Sequence, residues 1–206
     1  MKAKTYVWTL GRLKEVEIPN ICKMLWIWIV SALLFLSPRA EAFDCGSTIE
    51  LLAGHIFSPV IIGADRQDLN YLSLDVRYEF LRPFKPMPLF LEATYNRTTK
   101  GPDGYMAGLT ILVRYQFPSV QFILPYVQMG AGVLYNNIYK DYSQDLIGNN
   151  MEFNPQLALG LKYKISSSCA FHLEFGFQHI SNAGLGDRNV GVNGIGGFIG
   201  FSWSLK

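Results

Sequence analysis

The sequence predicts an eight-stranded antiparallel up-and-down transmembrane β-barrel, an all-β fold. Three observations support this fold class. Apolar and polar residues alternate over segments of about ten residues or more, which is typical of outer-membrane strands. Short connections between these segments alternate along the chain with longer connections that are rich in Gly, Asn and Asp. An export-type leader precedes all of them.

The leader is predicted over residues 1–42, and the barrel domain over 43–206. The leader has an apolar run from Met24 to Leu36 and a small-residue exit, Ala40-Glu-Ala42. This run is shorter than the roughly 20 residues that a permanent membrane helix needs, so we expect a cleaved signal peptide. The basic region before the run is long for a signal, which makes either Met1 or Met24 a candidate start.

The charge balance argues against a nucleic-acid partner. The whole chain has a formal net charge of +2, but the part after the leader has 12 Lys and Arg and 13 Asp and Glu, so it is nearly neutral. A nucleic-acid surface would need a basic stripe on the folded part. Cys45 and Cys169 remain after the leader, and an exported protein can keep a disulfide, although spacing alone does not decide whether they pair. The sequence has no CxxC motif, and we expect no metal and no cofactor.

Eight segments alternate with period two, which places successive side chains on opposite faces of a strand. In order they are 47–58, 70–80, 89–96, 105–117, 123–135, 151–165, 171–181 and 192–205. The first is the least regular, because His55 falls on its mainly apolar face and leaves room for a slipped register or a bulge. The longer connections are predicted at 63–69, 97–104, 136–150 and 182–191. They fall on one end, which should face the cell exterior.

The charged face of these strands must point into the barrel. Lys or Arg on the lipid side at mid-bilayer costs about 2–4 kcal/mol. The predicted lumen residues are Glu79, Glu92, Arg114, Lys162 and Glu174. Such a near-balanced set in a small barrel predicts a hydrogen-bonded plug instead of a pore. A soluble β-sandwich is the alternative, but its strands are usually shorter, and here aromatic residues gather near strand ends behind an export signal.

Polar residues near the outer end of the last two strands predict a site. His179 and Ser181 are two positions apart, so their side chains share a face, and the same parity count places Asn193 of the last strand on it. A serine hydroxyl attacks esters when an imidazole accepts its proton and a third group orients that imidazole. The three residues fit these roles on the lipid-facing wall. Polar groups at headgroup level are the simpler interpretation of the same pattern.

The segment Phe177-Gln-His-Ile-Ser-Asn-Ala-Gly-Leu185, followed by Arg188-Asn-Val-Gly-Val-Asn193, resembles the signature of the PagL family of lipid A 3-O-deacylases. The resemblance implies an eight-stranded outer-membrane barrel that removes the ester-linked 3-hydroxyacyl chain at position 3 of lipid A. It also implies that Ser181 is the nucleophile and His179 the general base. Asn189 would be the oxyanion donor with Asn182 as support. Arg188 stands where many members have proline.

This sequence departs from the family at the acid. Asn193 occupies the position of the catalytic Glu, and an amide orients an imidazole but cannot neutralise imidazolium. The acid-to-amide change has cost about 10⁴ in rate in a serine triad, so reduced activity is predicted. Asp187 is the alternative acid. Asn as third member also resembles outer-membrane phospholipase A, a calcium-dependent family with twelve strands, which makes phospholipid hydrolysis the alternative reaction.

A non-catalytic surface barrel or adhesin is the hypothesis from another functional class. Its outer loops would bind a partner, but solvated loops are the usual interpretation of such segments. For the esterase we expect lipid A of lipopolysaccharide and the membrane itself as partners, and the bacterial outer membrane as location. The sequence leaves open a homodimer and the preferred acyl length.

Overall fold

The computed structural model describes residues 47–58 and 69–205, most of which lie in β-strands. The strands are β1 Thr48–Phe57, β2 Asn70–Phe84, β3 Met87–Lys100, β4 Tyr105–Gln116, β5 Ile123–Asn136, β6 Met151–Phe153, β7 Gln156–Lys164, β8 Cys169–Ile180 and β9 Val192–Ser204. Within these ranges no helix has the length and apolar character needed to cross a membrane. The predicted leader and Cys45 lie outside the described residues.

The strands close into a ring. All pairings between neighbours are antiparallel, and β1 pairs with both β2 and β9. β6 and β7 pair with β5 in one register, with Val133 opposite Phe153 and Gly130 opposite Gln156. They occupy one strand position of the barrel, called here a stave. It is interrupted at Pro155, which has no N–H to donate to a neighbouring strand. The barrel therefore has eight staves, as predicted, and the predicted sixth strand is one stave with a proline break.

The outer wall of the barrel is apolar. Large apolar side chains remain exposed at alternate strand positions, among them Leu74, Ile111, Met129, Leu159, Phe175 and Ile199. Water-soluble monomers rarely expose a continuous apolar surface of this extent, whereas a membrane barrel presents such a band to lipid. The closed ring and the apolar wall exclude the soluble β-sandwich.

The lumen holds the charged side chains that the alternation placed there. The predicted set is buried: Glu79, Glu92, Arg114, Lys162 and Glu174. Arg77 donates to Glu92 at 2.7 Å and to both carboxylate oxygens of Glu174 at 2.8 and 3.0 Å. Arg114 donates to both carboxylate oxygens of Glu50 at 2.6 and 2.7 Å. Paired charges fill the interior, as expected for a plug.

The outer end, defined here as the end bearing residues 137–150 and 181–191, has an apolar filling that the sequence did not predict. Its members are Leu52, Ile56, Leu69, Tyr71, Met106, Leu134, Ile138, Ile147, Ile180, Val192 and Phe198. Ile138 and Ile147 belong to the connection between β5 and β6, called here the β5–β6 loop. This loop therefore packs onto the barrel interior, because its isoleucines complete the cluster.

Some predicted strand ends, and the irregularity considered in the first strand, differ from the structure. The β3–β4 connection is shorter than predicted because β3 extends to Lys100 and leaves only residues 101–104. Thr98 ties that turn, since its N–H and hydroxyl both donate to the Gly104 carbonyl, at 3.1 and 3.0 Å. In β1 the register with both neighbours is unbroken, so the irregularity considered at His55 is absent from this strand. The His55 ring instead meets the Thr99 hydroxyl at 3.1 Å.

Candidate active site

His179 and Asn193 lie directly opposite each other in the β8–β9 ladder, near the outer end. Both side chains are half-buried on the outer face. The Nδ1 atom of His179 is 2.7 Å from Oδ1 of Asn193. An amide oxygen only accepts, so Nδ1–H donates to it, and Nε2 keeps its lone pair when the ring is neutral. A general base of a serine hydrolase requires this tautomer.

Ser181 follows β8 and continues its pairing. Its N–H donates to the Phe153 carbonyl at 3.1 Å, and its carbonyl accepts from the Phe153 N–H at 2.7 Å. The His179 N–H donates to the Pro155 carbonyl at 2.9 Å. The β6–β7 stave therefore fixes the backbone at both residues. Among the described residues, no hydrogen bond joins the Ser181 hydroxyl to the His179 ring. In free enzymes such catalytic hydrogen bonds are often long and tighten only when substrate is bound.

Gly191 borders both side chains. A Cβ atom built on this glycine would lie 3.3 Å from Cε1 of His179 and 3.5 Å from Cβ of Ser181. Both side chains therefore border the position that a Cβ of this glycine would take. Gly191 also has a φ of +77°, a conformation that glycine adopts at little cost. A glycine here avoids crowding His179 and Ser181 and lets the chain enter β9.

Asn182 and Asn189 organise the connection between β8 and β9, residues 181–191, called here the β8–β9 loop. The Asn182 N–H donates to Oδ1 of Asn189 at 2.9 Å. This bond sets the orientation of the Asn189 amide, because only its oxygen accepts, and it leaves the two N–H groups of Nδ2 on the other side. Asn182 is buried, and its own amide bonds the Arg188 carbonyl and the Gly184 N–H, both at 3.0 Å. Asn182 therefore acts on the loop backbone, and Asn189 has donors to offer.

The alternative acid, Asp187, and the nearby carboxylate of Glu174 are not the partners of the His179 ring. Asp187 is exposed in the β8–β9 loop, and the partner of the His179 ring nitrogen is Asn193. Glu174 lies in the lumen, where Arg77 binds it, as parity predicts. Among the described residues, no group of three or more His, Cys, Asp or Glu side chains is arranged to hold a metal ion. Cys169 forms no disulfide among the described residues, and Cys45, the partner that the sequence left open, lies outside them.

A second His–Ser pair lies inside the barrel. Nε2 of His172 is 2.9 Å from the Ser202 hydroxyl, and both residues are buried. The Tyr126 hydroxyl lies 3.3 Å from the other ring nitrogen of His172 and donates to Glu174 at 3.0 Å. This pair belongs to the packed lumen network, so a lipid ester on the outer wall does not reach it. Its geometry makes Ser202 a useful control for Ser181.

Sequence reasoning missed the support of the β8–β9 loop. The Arg188 guanidinium donates to three backbone carbonyls of the β5–β6 loop, and the N–H groups of Val190 and Gly191 donate to two more. These contacts join residues more than forty positions apart, so no local sequence motif predicts them. The motif did contain Arg188 and Gly191, but only the fold shows what they touch.

The chain matches the family model for lipid A 3-O-deacylase (PagL) over residues 71–202. Among solved structures, its fold is similar to that of the outer membrane enzyme PagL, with a TM-score of 0.57 and 18% identity, covering 77% of this chain and 99% of that one. It is also similar to Neisserial surface protein A, with a TM-score of 0.58 and 12% identity, covering 78% and 97%. No curated protein gives a significant sequence match. Because the family match runs from β2 into β9, this chain is a bacterial outer-membrane β-barrel that belongs to the PagL family of lipid A deacylases.

Proposed function

We propose that this protein is a serine esterase that hydrolyses the 3-O-linked 3-hydroxyacyl ester of lipid A in the outer leaflet. The observation that carries the proposal is the 2.7 Å contact between His179 and Asn193 on the outer wall, with Ser181 beside it. In this proposal the base, its orienting partner and the nucleophilic hydroxyl lie near one another on the side of the barrel that faces lipid. The family match supports lipid A as the substrate.

In the proposed reaction, the Ser181 oxygen attacks the ester carbonyl while Nε2 of His179 takes the hydroxyl proton. The resulting oxyanion accepts hydrogen bonds from Nδ2 of Asn189, whose orientation is fixed through the Asn182 N–H. The tetrahedral intermediate collapses, and His179 returns the proton to the sugar oxygen that leaves. Water then attacks the acyl-serine by the same steps, which releases the 3-hydroxy fatty acid and restores Ser181.

Asn193 gives this site its particular character. Its amide oxygen holds the Nδ1 tautomer of His179, but it has no charge to stabilise the imidazolium that forms during the reaction. We therefore expect slower turnover than a carboxylate would allow. The same amide favours a second candidate, hydrolysis of phospholipid esters, because Asn is the third member in the outer-membrane phospholipase A family that the motif also resembles.

The deciding experiment is mass spectrometry of lipid A from cells that express the protein. Wild type should remove one 3-hydroxyacyl chain, and Ser181→Ala should leave lipid A intact. Ser202→Ala is the matched control, because it removes the buried serine of the other His–Ser pair and should behave as wild type. Identical lipid A in all strains would refute the deacylase.

The second candidate is tested on the same purified proteins with phospholipid vesicles. Fatty acid released by wild type but not by Ser181→Ala, together with unchanged lipid A, would identify a phospholipase. Neither activity in a folded protein would favour the non-catalytic surface barrel.

A further inference from the structure

Arg188 holds the β8–β9 loop onto the β5–β6 loop. Its Nη1 donates to the carbonyls of Asp141 and Gln144 at 2.8 and 2.9 Å, and its Nη2 to the carbonyl of Tyr139 at 2.6 Å. The guanidinium carbon also lies 4.5 Å from the centre of the Tyr142 ring. A planar guanidinium with several fixed donors suits this fork of acceptors, and a lysine ammonium does not reproduce it.

The β5–β6 loop is built to present these carbonyls. The Gln144 side chain closes the loop, since Nε2 donates to the carbonyls of Asp141 and Ile147 at 3.0 and 2.8 Å, and Oε1 accepts from the Ile147 N–H at 2.9 Å. Hydrogen bonds from the Ser143 hydroxyl and N–H hold the pKa of the Asp141 carboxyl below its usual value. Ile147 anchors the loop in the apolar filling of the barrel end. Contacts within the loop thus help to hold the acceptors for Arg188 in place.

Backbone contacts extend the junction toward the site. The Val190 N–H donates to the Asp145 carbonyl and the Gly191 N–H to the Leu146 carbonyl, both at 3.0 Å. Gly148 packs so closely against the Arg188 carbonyl that a Cβ at this glycine would collide with it. The segment from Arg188 to Gly191 therefore runs along the β5–β6 loop and enters β9 beside His179.

Arg188 is also tied to Asn182, the residue that follows Ser181. Its carbonyl accepts from Nδ2 of Asn182 at 3.0 Å, and the next residue, Asn189, accepts from the Asn182 N–H at 2.9 Å. The side chain of Arg188 thus binds the β5–β6 loop, while its backbone carbonyl binds Asn182, directly after Ser181.

We propose that Arg188 is a positioning residue: its guanidinium locks the β8–β9 loop to the β5–β6 loop and thereby places the Asn189 amide beside Ser181. This inference rests on the proposed function for its catalytic consequence, while the lock itself is testable without activity. Arg188 does not touch the reacting atoms in this assignment. It removes the motion of the oxyanion donor, and misplacement of such a donor slows the chemical step.

The test compares Arg188→Ala, Arg188→Lys and Lys140→Ala in deacylation kinetics on purified lipid A. Lys140 is a matched control because it is a cation of the β5–β6 loop, which Arg188 contacts, and its ammonium lies 6.0 Å from the Tyr139 ring centre. Arg188→Ala should lower kcat about tenfold or more with KM within about twofold, Arg188→Lys should fall between, and Lys140→Ala should match wild type. A rise in KM that Arg188→Ala and Lys140→Ala share would overturn the proposal and indicate attraction of the anionic lipid.

Hydrogen exchange supplies the readout that does not depend on activity. In Arg188→Ala the amides of Val190 and Gly191 should exchange about tenfold faster or more, while amides of the β8–β9 ladder keep their protection and show that the barrel is folded. Unchanged exchange at these two amides would overturn the lock. Faster exchange with an unchanged kcat would overturn the role of the lock in positioning Asn189. If wild type itself fails to deacylate lipid A, the proposed function fails, and the exchange result still decides whether Arg188 joins the loops.

Discussion

Gly191 and Gly184 allow a methyl group to probe the candidate site while backbone strain is held constant. Both glycines lie in the β8–β9 loop with almost equal positive φ, +77° and +78°. A Cβ at Gly184 would meet nothing within 4 Å, whereas one at Gly191 would lie 3.2 Å from the Ile180 carbonyl oxygen and 3.3 Å from Cε1 of His179. Gly184→Ala therefore reports the strain alone, and Gly191→Ala reports the strain plus a contact with the site.

The magnitudes follow from these contacts. An L-residue in the left-handed conformation costs about 1–2 kcal/mol, so both variants should lose a similar free energy of unfolding. At Gly191 the neighbours must also yield by a few tenths of an ångström. Because misplacing catalytic groups by about 1 Å can cost 10²-fold in rate, a shift of this size should lower kcat by roughly three- to tenfold. Gly184→Ala should keep kcat within about twofold.

The assay is release of 3-hydroxy fatty acid from lipid A in detergent micelles, alongside urea unfolding of each variant in lipid vesicles. Equal losses of activity in the two variants would show that loop strain, not the methyl group, controls the rate. A fully active Gly191→Ala would show that a methyl group against His179 and Ser181 does not disturb the reaction. Either result would refute the reasoning about this glycine.

The remaining predictions concern the third member of the site and the lumen. Asn193→Ala should lower kcat roughly tenfold or more, because His179 loses the acceptor that sets its tautomer. Asp187→Ala should keep a kcat close to that of wild type. The reverse result in deacylation kinetics would make Asp187 the third member of the site. Arg77→Met should lower the free energy of unfolding by about 3–5 kcal/mol, since it strips two buried carboxylates of their partner. Arg97→Met breaks an exposed pair with Asp103 and should cost less than about 1 kcal/mol in the same urea titration.

Parity alone was enough to predict much of the barrel. Alternation predicted eight staves. It also placed Glu92, Arg114 and Glu174 inside the barrel, because the free-energy cost of a charge on the lipid face exceeds the stabilisation from most single contacts. It could not foresee that the inward positions near the outer end are apolar. Leu52 and Ile56 alternate with other apolar residues in β1, and periodicity is lost where both faces are apolar.

By itself, the sequence determined the chemistry available on the outer wall, because residues two apart on a strand share a face: His179 and Ser181 had to project together. Only the tertiary structure decided that Asn193 lies 2.7 Å from the imidazole and that the β5–β6 loop receives Arg188. The physical reason is the range of the contacts. Strand parity is a local property of the backbone, whereas the pairing of β8 with β9 and the meeting of two loops depend on closure of the whole barrel.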